Sequence, residues 1–322
     1  MKSGLLAFRL AKVIVLLPTL ILCVCSPSPP DSSFIHLVFS PTSIQASGGV
    51  VTASATCPSG QQLIGGGFTA APNGTALVAV TDNYPSSPNT WKVSAQVGEQ
   101  ASPGEVIALA YCFTTPNVQL GLTTVTGNTV APPPTSPLSP GGVQISFSAP
   151  GTAVCPAGSV LTGGGYSARG LDPTTAETYN SYISTEGPSS DSTGRPNGWQ
   201  TTLTYINTVA PTATAFAICA RSYFTQGTIV TANASAVLRV QTGDVHCPPN
   251  TFTTGGGYTV QQSIPIPLPY TVYSSFSSTQ PEPASTPRKP GFYDASGWHS
   301  DSLTTPFSAT VTMSTNCIPL PR

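Results

Sequence analysis

The sequence predicts an all-β protein built of tandem antiparallel β-sandwich-like modules, each closed by one disulfide. Three observations predict this fold class. Only 7% of the 322 residues are charged, whereas 30 are Gly and 34 are Pro, a composition that favours short strands and turns over amphipathic helices. Short β-branched segments recur along the chain. Finally, the cysteines outside the N-terminal segment recur in three similarly spaced pairs.

One motif occurs three times and defines the modules. A Cys-Pro dipeptide is followed, eight residues after its cysteine, by the first of three consecutive glycines. Each copy continues through a proline-containing turn-rich stretch to a tryptophan and then to a second cysteine. Such self-similarity indicates copies of one supersecondary unit. The shared positions are Cys57, Gly65, Gly66, Gly67, Pro85, Trp91 and Cys112; Cys155, Gly163, Gly164, Gly165, Pro188, Trp199 and Cys219; and Cys247, Gly255, Gly256, Gly257, Pro281, Trp298 and Cys317.

The combination of Cys-Pro-x-Gly with a glycine triplet resembles a β-module that recurs in exported bacterial proteins of unassigned function. The resemblance covers most of the chain after the N-terminal segment, and it implies location rather than activity. The third copy departs from the motif, because Pro249-Asn250 replaces the ending in Gly and a longer insert, residues 264–297, precedes its tryptophan. A ligand site in that copy is therefore expected to differ.

The repeat also predicts the disulfide pairing. Six cysteines allow many pairings, but a module that closes on itself pairs Cys57 with Cys112, Cys155 with Cys219 and Cys247 with Cys317. In the chain-entropy model each bridge contributes about 4 kcal/mol. The wide spacing and the lack of a CxxC motif argue against zinc, and an oxidising compartment explains the cysteines better.

The N-terminus has the layout of an export signal. Lys2, Arg9 and Lys12 precede an apolar run over residues 13–25, which is shorter than the about 20 residues of a membrane span. Cys23 and Cys25 are candidates for lipidation, with plain cleavage nearby as the alternative. The predicted organisation is a signal at 1–25, a Pro/Ser-rich tether at 26–33, β-module 1 at 34–117, a linker with room for a strand at 118–142, β-module 2 at 143–225 and β-module 3 at 226–322.

Aromatic residues are the candidate contacts for a ligand. Exposed rings can stack on sugar faces, although the common register of the tryptophans fits a core position beside the disulfide, which we favour. The stretches before the tryptophans, with Asn83 and Glu186, are expected to be loops that carry recognition residues. The candidate binding residues are Trp91, Trp199, Trp298, Tyr84 and Tyr293.

Catalysis is not expected, and neither is a cofactor or a metal site. No histidine lies in a metal-ligand spacing, and no nucleophile elbow or phosphate-binding motif is present. His299 and Asp301 flank Ser300, but the other copies lack this pair. Gly in a strand more often marks a bulge, or a close approach of a ring or another backbone, than a reactive loop. We expect the triplets to serve packing.

Two functions stay open for an exported protein at the cell surface or outside the cell. The first is a binding protein whose three modules add avidity for a glycan or envelope polymer. The second is a structural or spacer protein without a specific ligand; a hydrolase is least favoured. The net charge of −1 without a basic cluster beyond the N-terminus makes nucleic acid an unexpected partner. Contact with the membrane is expected only through the N-terminal anchor.

The export signal makes a direct prediction about the mature N-terminus. Because the apolar run ends at Cys23 and Cys25, mass spectrometry of the exported protein should find an acylated cysteine or a start near Ser26. Retention of Met1 in a soluble cytoplasmic fraction would contradict it.

Overall fold

The computed structural model of the protein describes residues 35–45, 48–70, 78–97, 104–114, 118–127, 145–147, 150–169, 181–206, 212–221, 223–233, 235–237, 240–262, 270–278, 297–304 and 309–319. All regular secondary structure within these ranges is β-strand, which confirms the predicted class. No helix among them is long and apolar enough to span a membrane. Residues 31–322 form one compact unit.

Among the described residues each module contributes seven strands, with β8, which lies in the predicted linker at 118–142, counted with module 2 because it pairs with β14. In module 1 they are β1 (Ile35–Phe39), β2 (Ser43–Gln45), β3 (Val50–Thr56), β4 (Gln62–Ala70), β5 (Val78–Ser87), β6 (Thr90–Val97) and β7 (Gly104–Phe113). In module 2 they are β8 (Thr123–Thr126), β9 (Ile145–Phe147), β10 (Gly151–Val154), β11 (Val160–Arg169), β12 (Ser181–Ser190), β13 (Pro196–Ile206) and β14 (Thr212–Ala220). In module 3 they are β15 (Thr228–Asn233), β16 (Ser235–Val237), β17 (Val240–His246), β18 (Thr251–Gln262), β19 (Tyr270–Ser278), β20 (Gly297–Thr304) and β21 (Ala309–Pro319).

Every module divides into two antiparallel groups of strands that face each other. In module 1 the tryptophan strand β6 lies between β3 and β5, and the strand of the second cysteine, β7, lies between β1 and β4. The predicted disulfide joins the two groups. The structure contains the three predicted pairs, Cys57–Cys112, Cys155–Cys219 and Cys247–Cys317, with Cα–Cα distances of 5.5, 5.6 and 5.5 Å.

The groups of different modules join into three shared sheets. The 1–2 sheet has the order β3-β6-β5-β11-β14-β8, the 2–3 sheet β10-β13-β12-β18-β21-β15, and the 3–1 sheet β1-β7-β4-β19-β20-β17-β16. The joints are antiparallel and equivalent, since Tyr166 pairs with Asn83, Tyr258 with Glu186 and Phe68 with Ser275. Because the third module pairs back with the first, the modules form a closed ring with pseudo-threefold symmetry.

The glycine triplets lie where the ring is most crowded. The strand pairing shifts register at the first glycine in every module, which is a β-bulge. A Cβ added to Gly163 would lie 2.8 Å from the Cα of Gly65, and one added to Gly255 would lie 3.1 Å from the Cα of Gly163. The three glycine strands therefore meet at the centre of the ring, where a side chain has no room.

The second glycine of each triplet makes room for the tryptophan of its own module. A Cβ on Gly66, Gly164 or Gly256 would overlap the indole of Trp91, Trp199 or Trp298, respectively. None of the triplet glycines has a positive φ, so space rather than backbone conformation demands glycine. The expectation that the triplets serve packing agrees with this geometry.

Two local expectations need correction. The β-branched content of residues 143–147 predicts a strand that runs into Cys155, but the strand that leads into this cysteine is β10, which follows Pro150. Proline lacks the N–H that a continuous ladder needs. The stretches before Trp91 and Trp199 are mostly strand rather than loop: β5 and β12 run through them, and short hairpin turns at 88–89 and 191–195 lead into β6 and β13.

Replacing Gly164 with Val should destabilise the whole ring, since the added side chain overlaps the Trp199 indole. We expect a loss of about 1–3 kcal/mol, the usual range for overpacking. Urea unfolding should still show one transition, because module 2 shares its sheets with both neighbours. Thr152→Val, on an exposed strand position of the same module, is the control. Two separate transitions in the Gly164 variant would contradict the shared-sheet account.

Candidate ligand-binding face

A stacked aromatic pair lies on the outer face of the 1–2 sheet. Tyr84 comes from β5 of module 1 and Phe216 from β14 of module 2, with ring centroids 4.8 Å apart and an angle of 23° between the ring planes. Both side chains are half-buried. The pair therefore offers an accessible apolar surface that exists only because two modules share the sheet.

The third glycine of module 2 lies where the strands of these two rings approach closely. Gly165 pairs with Phe216, and a Cβ on it would overlap the backbone carbonyl of Asn83 and lie 3.1 Å from the Cα of Tyr84. A larger residue here would separate the two strands. The same glycine that allows the joint between modules thus also allows the stack.

A charged cluster borders the aromatic pair. The Lys92 ammonium lies 5.9 Å from the centre of the Tyr84 ring and 3.4 Å from an Asp82 oxygen. The other Asp82 oxygen accepts from Arg169 at 3.1 Å and from Ser167 at 2.7 Å. Asp82 and Lys92 belong to module 1 and the other two to module 2, so this network also crosses the joint.

Burial and charge act in opposite directions on Asp82. Its side chain is 5% exposed, and this desolvation raises the pKa. The hydrogen bonds from Ser167 and Ser94 and the charges of Lys92 and Arg169 outweigh it, so the pKa of Asp82 lies below its ordinary value. The carboxylate is therefore ionised at neutral pH. Arg169, whose side chain is 68% exposed, stays open to an additional partner.

The equivalent positions of the other two sheets have different chemistry. In the 2–3 sheet, Gly187 and Ser314 replace Tyr84 and Phe216, and Gln200 replaces Lys92. In the 3–1 sheet the corresponding residues are Phe276, Leu109 and His299, and Leu109 is buried. Among the described parts of the three faces, the aromatic and charged set belongs to the 1–2 sheet.

The predicted binding residues differ in their exposure to solvent. Trp91, Trp199 and Trp298 are 0%, 1% and 1% exposed, so they are core side chains, the alternative that the sequence favoured, and no surface ligand can stack on them. Tyr84 lies on the face described above. Tyr293 and the lipidation candidates, Cys23 and Cys25, lie outside the described residues.

Two residues expected in recognition loops are instead buried inside the ring. Asn83 and Glu186 are each 1% exposed, because their side chains point inward from strands β5 and β12. Asn83 accepts a hydrogen bond from the Trp91 indole at 2.8 Å and donates one to Glu186 at 2.6 Å. The loop expectation is therefore wrong for both residues, and neither can contact a surface ligand.

Among the described side chains, the histidine and acidic residues of module 3 do not form a catalytic group with Ser300. His299 lies 3.0 Å from Asp244 on the neighbouring strand, whereas Ser300 is buried. Within the described ranges, no group of three or more His, Cys, Asp or Glu side chains is placed to hold a metal ion. No protein-family model matches the chain, and no curated protein matches it.

Replacing Asp82 with Asn should weaken the joint between modules 1 and 2. A group whose pKa is lowered by folding contributes stability above its unfolded pKa, about 3.9 for Asp, and this contribution is lost as the pH falls through the folded value. We expect a loss of about 1–3 kcal/mol at pH 7 that shrinks on acidification. Urea unfolding across pH measures it, with Glu105→Gln as control. An equal loss at all pH values would contradict the assignment.

Proposed function

We propose that the protein is an exported binding protein whose ligand docks on the Tyr84–Phe216 face of the 1–2 sheet. The observation that carries the proposal is the half-exposed aromatic stack beside Lys92 and Arg169. Flat apolar rings bind the faces of sugar rings and other planar groups. Neighbouring charged donors fix orientation through hydrogen bonds.

The position of this face on a rigid sheet supports the proposal. Each of its side chains projects from a central strand that is paired on both sides, so little conformational freedom is lost when a ligand binds. Three disulfides suit an oxidising environment outside the cytosol. A glycan or another polymer of the cell envelope has the matching chemistry of apolar ring faces with hydroxyl and acidic groups.

The threefold repeat supports one face rather than three equal ones. Avidity requires the same contact residues in each module, but Gly187 and Ser314 provide no aromatic surface in the 2–3 sheet. The repeats instead supply the strands from which a single composite face is built. A spacer protein without a ligand needs no such face, and it is the outcome if the binding test fails.

Binding to a glycan array or to purified cell-wall material should depend on Tyr84. We expect Tyr84→Ala to weaken binding about tenfold or more, because stacking of this kind contributes about 1–3 kcal/mol. Lys92→Ala should weaken binding less. Gln200 occupies the position of Lys92 on the 2–3 sheet. Gln200→Ala is therefore the matched control for Lys92→Ala and should bind like wild type.

Unfolding temperatures of all variants separate lost binding from lost structure. Equal binding by Tyr84→Ala and wild type would refute the assigned face. Surface abundance without binding to any arrayed or cell-wall polymer would favour the spacer protein.

A further inference from the structure

A buried carboxyl lies at the joint between the modules. Glu186, on β12 of module 2, is 1% exposed. Its Oε1 accepts from the Asn83 amide of module 1 at 2.6 Å, and its backbone pairs with Tyr258 of module 3. Its Oε2 has no hydrogen-bond partner among the described residues. The Glu186 carboxyl is thus enclosed where strands of all three modules meet.

The pseudo-threefold equivalents of Glu186 are not ionisable. Strand register places Asn83 at this position in module 1 and Ser275 in module 3. In module 1 the amide oxygen of Asn83 satisfies the Trp91 indole N–H. In module 2, by contrast, the Trp199 indole nitrogen and the Thr201 hydroxyl have no partner within the described chain. Packing of the ring therefore does not require a carboxyl at this position.

No described cation touches Glu186. Among the described residues, the titratable group that acts electrostatically on Glu186 is the buried hydroxyl of Tyr166 on β11, which is itself hydrogen-bonded to Tyr258 on β18. Its neighbours on β13 are uncharged. The remaining charges nearby belong to the outer face of the 1–2 sheet, where Lys92 and Arg169 pair with Asp82.

An ionised carboxylate without a cation is costly in such surroundings. Burial raises the pKa of Glu186 well above its ordinary value, and the hydrogen bond from Asn83 offsets only part of this shift. The enclosed position of the Glu186 carboxyl and its raised pKa both favour the neutral acid in the closed ring.

We propose that Glu186 is a pH-sensitive joint, whose neutral carboxyl lets modules 1 and 2 close tightly and whose ionisation loosens the β5–β11 pairing. Between acidic and neutral surroundings the ring would thus change from its tightest to a looser state. The device acts on the sheet that carries the Tyr84–Phe216 face, but it does not depend on that face binding a ligand.

The direction of the pH effect follows from linkage. Because folding raises the pKa of this group, its contribution is fully present below the unfolded pKa, about 4.3 for Glu. The contribution is lost as the pH rises toward the folded pKa, and the folding equilibrium constant falls about tenfold per pH unit across that window. This sign is opposite to that of Asp82, whose contribution is lost on acidification.

The test compares wild type with Glu186→Gln, which keeps the shape and the acceptor for Asn83 but cannot ionise. Urea unfolding from about pH 4 to pH 8 should show that the variant lacks the loss of stability that wild type undergoes as the pH rises. Hydrogen exchange of the amides in residues 78–87, corrected for the intrinsic pH dependence, should accelerate with pH in wild type and not in the variant. Glu105→Gln, at a half-buried carboxyl, should follow wild type.

Equal pH dependence of the wild type and the Glu186 variant would overturn the proposal. If the variant fails to fold, the carboxyl carbon of Glu186 in the wild-type protein is titrated by NMR. A midpoint in the ordinary range of Glu would then overturn the proposal, and a midpoint well above it would support it.

Discussion

The close approach of three glycine strands at the centre of the ring is the constraint on which the rest of the structure depends. Strands β4, β11 and β18 each pair with a strand of their own module on one side and with the neighbouring module on the other. These three strands therefore present no open edge to a strand of another molecule. Pairing at open sheet edges is a common route to aggregation. Side chains at the first glycine positions would separate the three strands, and the joints between modules would open together.

Disulfides and strand pairing stabilise different contacts of this ring. The two cysteines of each bridge lie in different sheets: Cys57 follows β3 of the 1–2 sheet, whereas Cys112 lies in β7 of the 3–1 sheet. The other bridges are related by the pseudo-threefold symmetry. Backbone hydrogen bonds thus join neighbouring modules within a sheet, and covalent bonds join one sheet to the next. Each bridge contributes about 4 kcal/mol in the chain-entropy model.

The sequence was informative about the features that all three modules share. Repetition predicted the cystine pairs, and the shared register of Trp91, Trp199 and Trp298 favoured the core position that the indoles occupy. The bulged, close-packed glycine strands also agree with the general behaviour of glycine in strands. The shared sheets could not be predicted, because the pairing of Tyr166 with Asn83 joins residues far apart in sequence and leaves no local pattern. For the same reason Phe216 was missed, since only the joint brings it to Tyr84.

Departures from the symmetry mark positions whose residue type the shared packing does not fix. Inner positions keep glycine and tryptophan in every copy, because the same space must be filled three times. Outward positions next to the joints differ, with Tyr84 and Phe216 in one sheet and Gly187 and Ser314 in another. Glu186 is an inner position that differs between modules. It is buried, and the equivalent residue of module 1, Asn83, cannot ionise. A buried carboxyl without a cation reduces stability at neutral pH, whereas the amide at the equivalent position shows that the fold does not need a carboxyl there. Glu186, which packing alone does not explain, is hydrogen-bonded to Asn83 on the strand that carries Tyr84. It therefore supports the proposal that the contact between modules 1 and 2 has a role beyond holding the ring together.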